Sequence, residues 1–170
     1  MAGADLHIRP ARPDDAGWIT SLAPRMHEFG APPWRDVSVM DDAVAAQWAR
    51  ELANPSPDSA FLVAEDALGI PAGFVWLKTE RDYFIDMPVG HVVDIAVTRG
   101  GEGRGIGRAL LAAAERWAED AGYPWVTLHV FEGNDRARRL YERVGYVPEW
   151  TRMLKRLRPD AAGDVDSTGG

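Results

Sequence analysis

The sequence predicts a mixed α/β (α+β) domain, and three observations carry the prediction. Residues 92–97 are an apolar, β-branched run with one acid, Asp94, and a turn rich in glycine follows it. Beyond the turn, Leu110, Leu111, Ala114, Trp117, Ala118 and Ala121 recur at helical spacing. Short strand-like runs at 61–65, 73–78 and 125–130 surround this unit, each bounded by Gly, Pro, Asp or Asn. A chain of 170 residues is one domain by size. It buries roughly 70% of its unfolded surface, enough for a core without disulfides or metal.

Taken in order, Leu6-His7-Ile8-Arg9 alternates as a short strand. Pro13 suits the first position of a helix, and Asp14 and Asp15 favour its positive end. Ala16, Ile19, Leu22, Ala23 and Met26 form that helix's inner face until Pro24 kinks or ends it. Residues 29–37, with Pro32, Pro33 and Trp34, read as a loop. Ser38-x-x-Asp41 reads as a capping box for a second helix running to about Ala53, with Met40, Val44, Trp48 and Leu52 along one side. Residues 61–65 and 73–78 read as antiparallel strands joined through Gly69, and 79–90 as a polar loop. The central strand is 92–97, with His91 at its start. The helix after the glycine turn, carrying Leu110 to Ala121, ends at Gly122, where a left-handed cap falls. A strand at 125–130, a helix at 134–144 and a strand at 150–157 complete the sheet. The domain is read as residues 1–158, and residues 159–170 as a disordered tail.

The glycine turn has a chemical use. Gly100, Gly101, Gly103, Gly105 and Gly107 fall within eight residues, more than a tight connection needs. The first N–H groups of a helix lack intrahelical acceptors, and the helix dipole favours negative charge at that end. Glycines let a ligand approach the backbone, so the turn reads as a phosphate site flanked by Arg104 and Arg108. The dinucleotide pattern fails at Ile106 and Arg108, and no Gly-Lys-Ser/Thr follows as a P-loop requires.

Gly105-Ile106-Gly107, followed by Arg108-Ala109-Leu110-Leu111, resembles the acyl-CoA signature of the GCN5-related N-acetyltransferase (GNAT) superfamily. That pattern is Q/R-x-x-G-x-G/A after a strand ending in valine, here Val97. Glu102 departs from it, standing where Gln or Arg is usual, and an acid beside a pyrophosphate is unfavourable. The segment from Asn134 through Ala137, Leu140 and Tyr141 to Gly145-Tyr146 resembles the family's N-x-x-A-x-x-L-Y-x-x-x-G-F/Y motif. The resemblance covers residues 6–157. It implies a mostly antiparallel sheet whose central parallel strand pair splays to admit the pantetheine arm of acetyl-CoA, with helices on both faces.

The resemblance also implies roles. Ile95, Ala96 and Val97 would carry backbone contacts to pantetheine. Glu102, Gly103, Arg104, Gly105, Ile106, Gly107 and Arg108 would surround the pyrophosphate. Asn134 and Ala137 would border the arm, although Asn134 is equally a plain helix N-cap. Tyr141 would protonate the departing thiolate, although it also fits a packed core tyrosine. A phenol is protonated at neutral pH and can donate. His91 and Asp94 are the local candidates for taking the amine's proton. On an ideal strand they face opposite ways, and a bulge would change that.

Composition narrows the class. The chain has no cysteine, which excludes a thiol nucleophile, zinc thiolates and disulfides. Its four histidines lack metal-ligand spacing, so no metal is expected. The net charge is −7, and three of those charges lie in the tail, leaving −4 on the body. That balance argues against nucleic acid. Without a 20-residue apolar run or a signal-like start, the expectation is a cytoplasmic protein off the membrane. The reading is an acyltransferase moving acetyl from acetyl-CoA to a primary amine, with a small-molecule acceptor, as monomer or homodimer. A protein lysine or N-terminal acetyltransferase and a non-catalytic acyl-CoA sensor are the alternatives.

Overall fold

The computed structural model describes residues 6–157; the tail read at 159–170 lies outside them. Strand β1 (His7–Pro10) leads through a 3-10 turn into α1 (Ala16–Ser21) and α2 (Pro24–His27). Then follow α3 (Val37–Ala53), β2 (Ser59–Glu65), β3 (Pro71–Arg81), β4 (Pro88–Val97), α4 (Ile106–Asp120), β5 (Val126–Leu128) and α5 (Asp135–Arg143). The five strands lie in chain order in one sheet. Neighbours from β1 to β4 pair antiparallel, and β4 pairs with β5 in parallel. The mostly antiparallel sheet with one parallel pair is therefore present.

Alternation along the strands sorts side chains into two cores. On one face Val75, Leu77 and Val92 pack against Ile106, Leu110, Leu111 and Ala114 of α4 and against Tyr141. On the other, Phe61, Val63, Phe74 and Trp76 pack against Ile19, Leu22 and Ala23 of the first helices and Trp48 of α3. Trp48 meets Phe74 edge-on at 4.8 Å, and Phe61 stacks on Trp76 at 5.2 Å. Arg9 is buried between the sheet and the first turn, donating to Asp15 at 2.7 and 2.9 Å and to Glu65 at 2.6 Å.

Four expectations are corrected. The cap of α3 is Asp36, whose carboxylate accepts from the Ser38 and Val39 amides; Ser38 lies inside the helix and Asp41 turns toward His27. Only the middle of residues 79–90 is loop, because Thr79, Glu80 and Arg81 pair with Gly90, Val89 and Pro88 to extend the hairpin. The strand read at 125–130 is only Val126–Leu128. Residues 150–157 form no strand; Trp150, Met153 and Leu154 are exposed, and of these Trp150 meets a ring, Tyr83, at 6.3 Å. An apolar alternation yields a strand only where a partner edge is in reach.

In β4 the ladder carries an irregularity. Trp76 of β3 faces Asp94, and the next residue, Leu77, faces Val92, so Val93 is one residue too many. Such a bulge reverses facing. Val92 lies in the α4-side core while Ala96, four residues on, lies in the α3-side core.

Pro24 divides α1 from α2 and opens the second helix. The chain after α2 is then pinned by Gly30. Gly30 adopts φ +76, and a Cβ there would lie 2.5 Å from the backbone nitrogen of Asn134. Gly69 has the same φ with nothing near the corresponding point. Gly69→Ala should therefore cost only the left-handed penalty, about 1–2 kcal/mol. Gly30→Ala should cost clearly more, because a backbone atom must move. Urea denaturation of the two variants checks this, and equal losses would show that the Gly30 contact yields freely.

Candidate functional site

The parallel ladder between β4 and β5 holds only Gly90↔Val126, His91↔Thr127 and Val92↔Leu128. Past Val92 the two strands separate. Ile95, Ala96 and Val97 still pair with β3 on one side, and on the other they border a cleft of about 610 Å³. Such a strand edge offers N–H and C=O groups to an extended ligand, as in strand addition.

Each wall of the cleft has a local cause. The floor at the end of β4 turns through a 3-10 segment capped by the Thr98 hydroxyl, which accepts from the Gly101 amide. Gly105 then enters α4 at φ 80, a left-handed value suited to glycine, and a Cβ there would point into open space. The first amides of α4 therefore face the cleft without acceptors from a preceding turn. The opposite wall is α5. Asn134 caps it, accepting from the Ala137 amide at 3.1 Å, and the spacing of Ala137, Leu140, Tyr141 and Val144 turns one helix face to the cleft. The resulting space suits an elongated ligand whose anionic end meets α4 and whose thin arm follows β4.

The residues read from the sequence converge here. Ile95, Ala96, Val97, Glu102, Gly103, Gly105, Ile106, Gly107, Arg108, Asn134, Ala137 and Tyr141 all border the cleft. Arg104 does not; it lies 3.9 Å from Asp66. Arg25, Phe29 and Arg136 border the cleft and were not read from the sequence. Arg136 stands one residue before Ala137 on the same helix, and helical spacing could have found it. Arg25, on α2, and Phe29, in the turn after it, come from a distant part of the chain with no local signal.

Glu102 is the departure from the family pattern, and its surroundings answer the charge. Arg136 donates to it at 2.9 Å and Arg25 binds its other oxygen. These two guanidinium groups, Arg136 first, hold its carboxyl below the usual range. Both guanidinium groups also lie over the Phe29 ring, at 5.8 and 5.5 Å. Arg25 further donates from Nε to the Val97 carbonyl at 3.2 Å. The acid thus stands between cations from α2 and α5.

Tyr141 is buried at the inner end of the cleft. Burial, and then the charge of Asp94, push its phenol up to about 12. It stays protonated at neutral pH and can donate.

The bulge brings His91 and Asp94 to the same, α3-side face of β4. Their settings differ. His91 sits where the strands are still paired, with Nδ1 2.7 Å from Thr127 Oγ1, Glu80 at 3.6 Å and the His129 ring at 5.0 Å. Burial lowers its pKa. Asp94 sits at the fork and accepts from Trp48 Nε1 at 2.7 Å. Burial pushes it up to about 6, against the opposing pull of the Trp48 N–H and of His27. Neither residue borders the cleft itself; each approaches from the other face of the sheet. Among the described residues no group of three or more His, Asp or Glu is placed to hold a metal, and no helix is long and apolar enough to cross a membrane.

The comparisons follow the same geometry. The acetyltransferase (GNAT) family model matches residues 23–146. Mycothiol acetyltransferase of Nocardiopsis dassonvillei is 35% identical over 137 residues, 79% of this chain and 39% of that protein. The enzyme of the same name from Thermomonospora curvata is 32% identical over 140 residues, 82% of this chain and 42% of its own length. The chain thus spans about two fifths of the length of these curated relatives. A putative acetyl transferase from Pyrococcus furiosus superposes with a TM-score of 0.73 at 25% identity, covering 90% of this chain and 100% of that one. Aminoglycoside N-acetyltransferase AAC(6')-Iy in complex with CoA superposes with a TM-score of 0.70 at 21% identity, covering 92% and 97%, a likeness of fold. With the forked strand pair, the glycine turn and the capped helix of Tyr141 in one cleft, the chain belongs to the GNAT acetyltransferase family.

Proposed function

We propose that the protein transfers an acetyl group from acetyl-CoA to the primary amine of a small molecule, by direct attack in a ternary complex. The observation that carries this reading is that the β4 edge, the first amides of α4 and the Tyr141 phenol all border one cleft. Acetyl-CoA has a pyrophosphate for the α4 amides, an amide-bearing arm for the β4 edge and a thioester for the Tyr141 phenol. The small-molecule acceptor is supported by relatives named for mycothiol and a structural neighbour named for aminoglycosides. The absence of cysteine supports direct attack over a thiol-linked acyl-enzyme.

In this reading the amine nitrogen forms a bond to the thioester carbonyl carbon. Asp94, the carboxylate at the fork, takes the nitrogen's proton as that bond forms. The C–S bond then breaks, and Tyr141 gives its proton to the departing sulfur. Asp94 is favoured over His91 because its charge acts on Tyr141, whereas the Nδ1 of His91 is engaged with Thr127 below the fork. A carboxyl near 6 is mostly ionised at neutral pH and is basic enough to accept a proton.

Donor binding is tested at the glycine turn. Saturating acetyl-CoA should raise Tm, because binding to the native state stabilises by RT ln(1 + [L]/Kd). Gly105→Asn keeps a residue that tolerates the left-handed region but fills the open space before α4. It should fold and lose most of the Tm shift; an undiminished shift would place the pyrophosphate elsewhere.

Tyr141→Phe keeps the ring and removes the proton. Its kcat should fall by roughly 10²-fold or more, with acetyl-CoA binding little changed by calorimetry. An unaltered kcat, with chemistry rate-limiting, would make Tyr141 a packing residue.

The base is tested by pH. An acid's conjugate base accumulates as pH rises, so kcat/KM should climb through about 6, where the Asp94 carboxyl ionises. Asp94→Asn should abolish that limb and cost roughly 10²-fold or more. His91→Ala should keep the limb. The opposite pattern, loss in His91→Ala and retention in Asp94→Asn, would transfer the role to His91. A panel of free amines, lysine peptides and protein N-termini, assayed by thiol release, decides the acceptor class. No release with any of them would leave a CoA-binding sensor.

A further inference from the structure

Glu102 lies on the turn between β4 and α4, beside the helix amides that face the cleft. It is the one acid on the cleft wall, among Arg25, Arg108, Arg136 and Arg143. Those cations and the start of α4 favour an anion, and Glu102 is the anion that the chain itself supplies. Its Oε2 accepts from Arg136 of α5 at 2.9 Å, and its Oε1 is bound by Arg25 of α2. The carboxylate thus ties two elements to the turn.

Neither cation depends on Glu102 alone. Both guanidinium groups lie over the Phe29 ring, an attraction that needs no carboxylate. Arg25 is held as well by Glu28 and, through Nε, by the Val97 carbonyl at 3.2 Å. That carbonyl faces the fork. The Thr98 amide turns to Ala72 of β3 at 2.9 Å, and successive residues of a strand direct their backbone groups to opposite edges. Both guanidinium groups therefore keep a place on the cleft wall when Glu102 turns away. The Glu102 side chain is 28% exposed, so water can receive its oxygens.

A guanidinium donates to a carboxylate and to a phosphate in the same two-point way. A pyrophosphate carries more charge and more acceptor oxygens than one carboxylate. It can take from Glu102 the N–H groups that Glu102 now holds, at the cost of standing near a like charge.

We propose that Glu102 is a displaceable counter-ion, which shares Arg136 and Arg25 with the pyrophosphate of the donor and so limits how tightly the protein holds CoA. This role rests on the reading of the α4 turn as the pyrophosphate site. As the donor enters, Arg136 and Arg25 exchange a carboxylate oxygen for a phosphate oxygen, and Glu102 turns to water. No covalent bond changes. The product CoA carries the same pyrophosphate, and affinity differences of this kind lie mainly in dissociation rates. The acid therefore shortens the stay of the product. An acid that only braced α2 against α5 would act in the opposite sense: its loss would loosen both cations and weaken the hold on CoA.

Calorimetry with CoA, and the Tm shift with pantetheine, which lacks the phosphates, compare the wild-type protein with its variants. Glu102→Gln should bind CoA about three- to tenfold more tightly, the scale of one charge pair in well-solvated surroundings. Glu102→Ala, which removes the reach as well as the charge, should also bind CoA more tightly. Both gains should shrink as salt is added, and pantetheine should not distinguish these variants from wild type. Arg136→Gln should weaken CoA by a similar factor and leave pantetheine unchanged. Unchanged or weaker CoA binding in the two Glu102 variants overturns the counter-ion, as does an equal gain for pantetheine or an unaltered CoA affinity in Arg136→Gln. Wild-type protein that binds CoA no better than pantetheine overturns the pyrophosphate site and the counter-ion together.

Discussion

Between Val92 and Asp94, β4 carries one residue more than β3 opposite it, and the ladder to β5 stops at the same level. These two features set the geometry of the site. The extra residue moves Asp94 onto the α3 face, where Trp48 can bond it. Ending the ladder frees the edge of Ile95, Ala96 and Val97. A buried backbone edge is costly when nothing pairs with it. One of its carbonyls is taken by Arg25, and the remainder faces the cleft, where an extended ligand can complete it.

Charge follows the same division. The cleft side gathers cations, with Arg25, Arg108, Arg136 and Arg143 around the turn into α4, and these offset the one acid there, Glu102. The helix dipole adds to them at the same end. The α3 side gathers carboxylates and imidazoles: the partly exposed Asp94 and Asp41 and the buried His27, with His91, His129 and Glu80 nearer the paired strands. The sheet separates a cation-lined face from one that carries Asp94, His27 and Asp41, and the fork opens between them. A hydrogen bond such as Trp48 to Asp94, when the carboxylate is charged, contributes about 1.5–3 kcal/mol. It holds the acid in place without cancelling the burial that makes it basic.

The curated relatives are about twice as long as this chain, which matches about two fifths of each. What the match shares with them is the region that builds the cleft: the family model begins at Ala23, just before α2, and ends at Tyr146, just past α5. The exposed apolar residues Val147, Trp150, Met153, Leu154 and Leu157 lie beyond that region. Their sequence alternation alone did not order them into the sheet.

Much of the site was legible from the chain alone, and for one reason: its parts are local. The glycine turn, the start of α4 and the Asn134-to-Tyr141 helix face are each set by residues within a few positions of one another, where backbone preference and helical spacing decide the outcome. Caps and boundaries were less secure, because neighbouring carboxylates compete to accept the same amides; Asp36 takes the amides that Ser38 and Asp41 seemed placed to manage. What only the tertiary structure decided depends on contacts between distant segments. The bulge at Val93 arises from how β4 registers on β3, so the shared face of His91 and Asp94 could not follow from strand periodicity. Arg25 on Glu102, Gly30 on Asn134 and His27 on Asp41 each join residues far apart in the chain. No spacing rule links such residues; packing of α2 across the fork does.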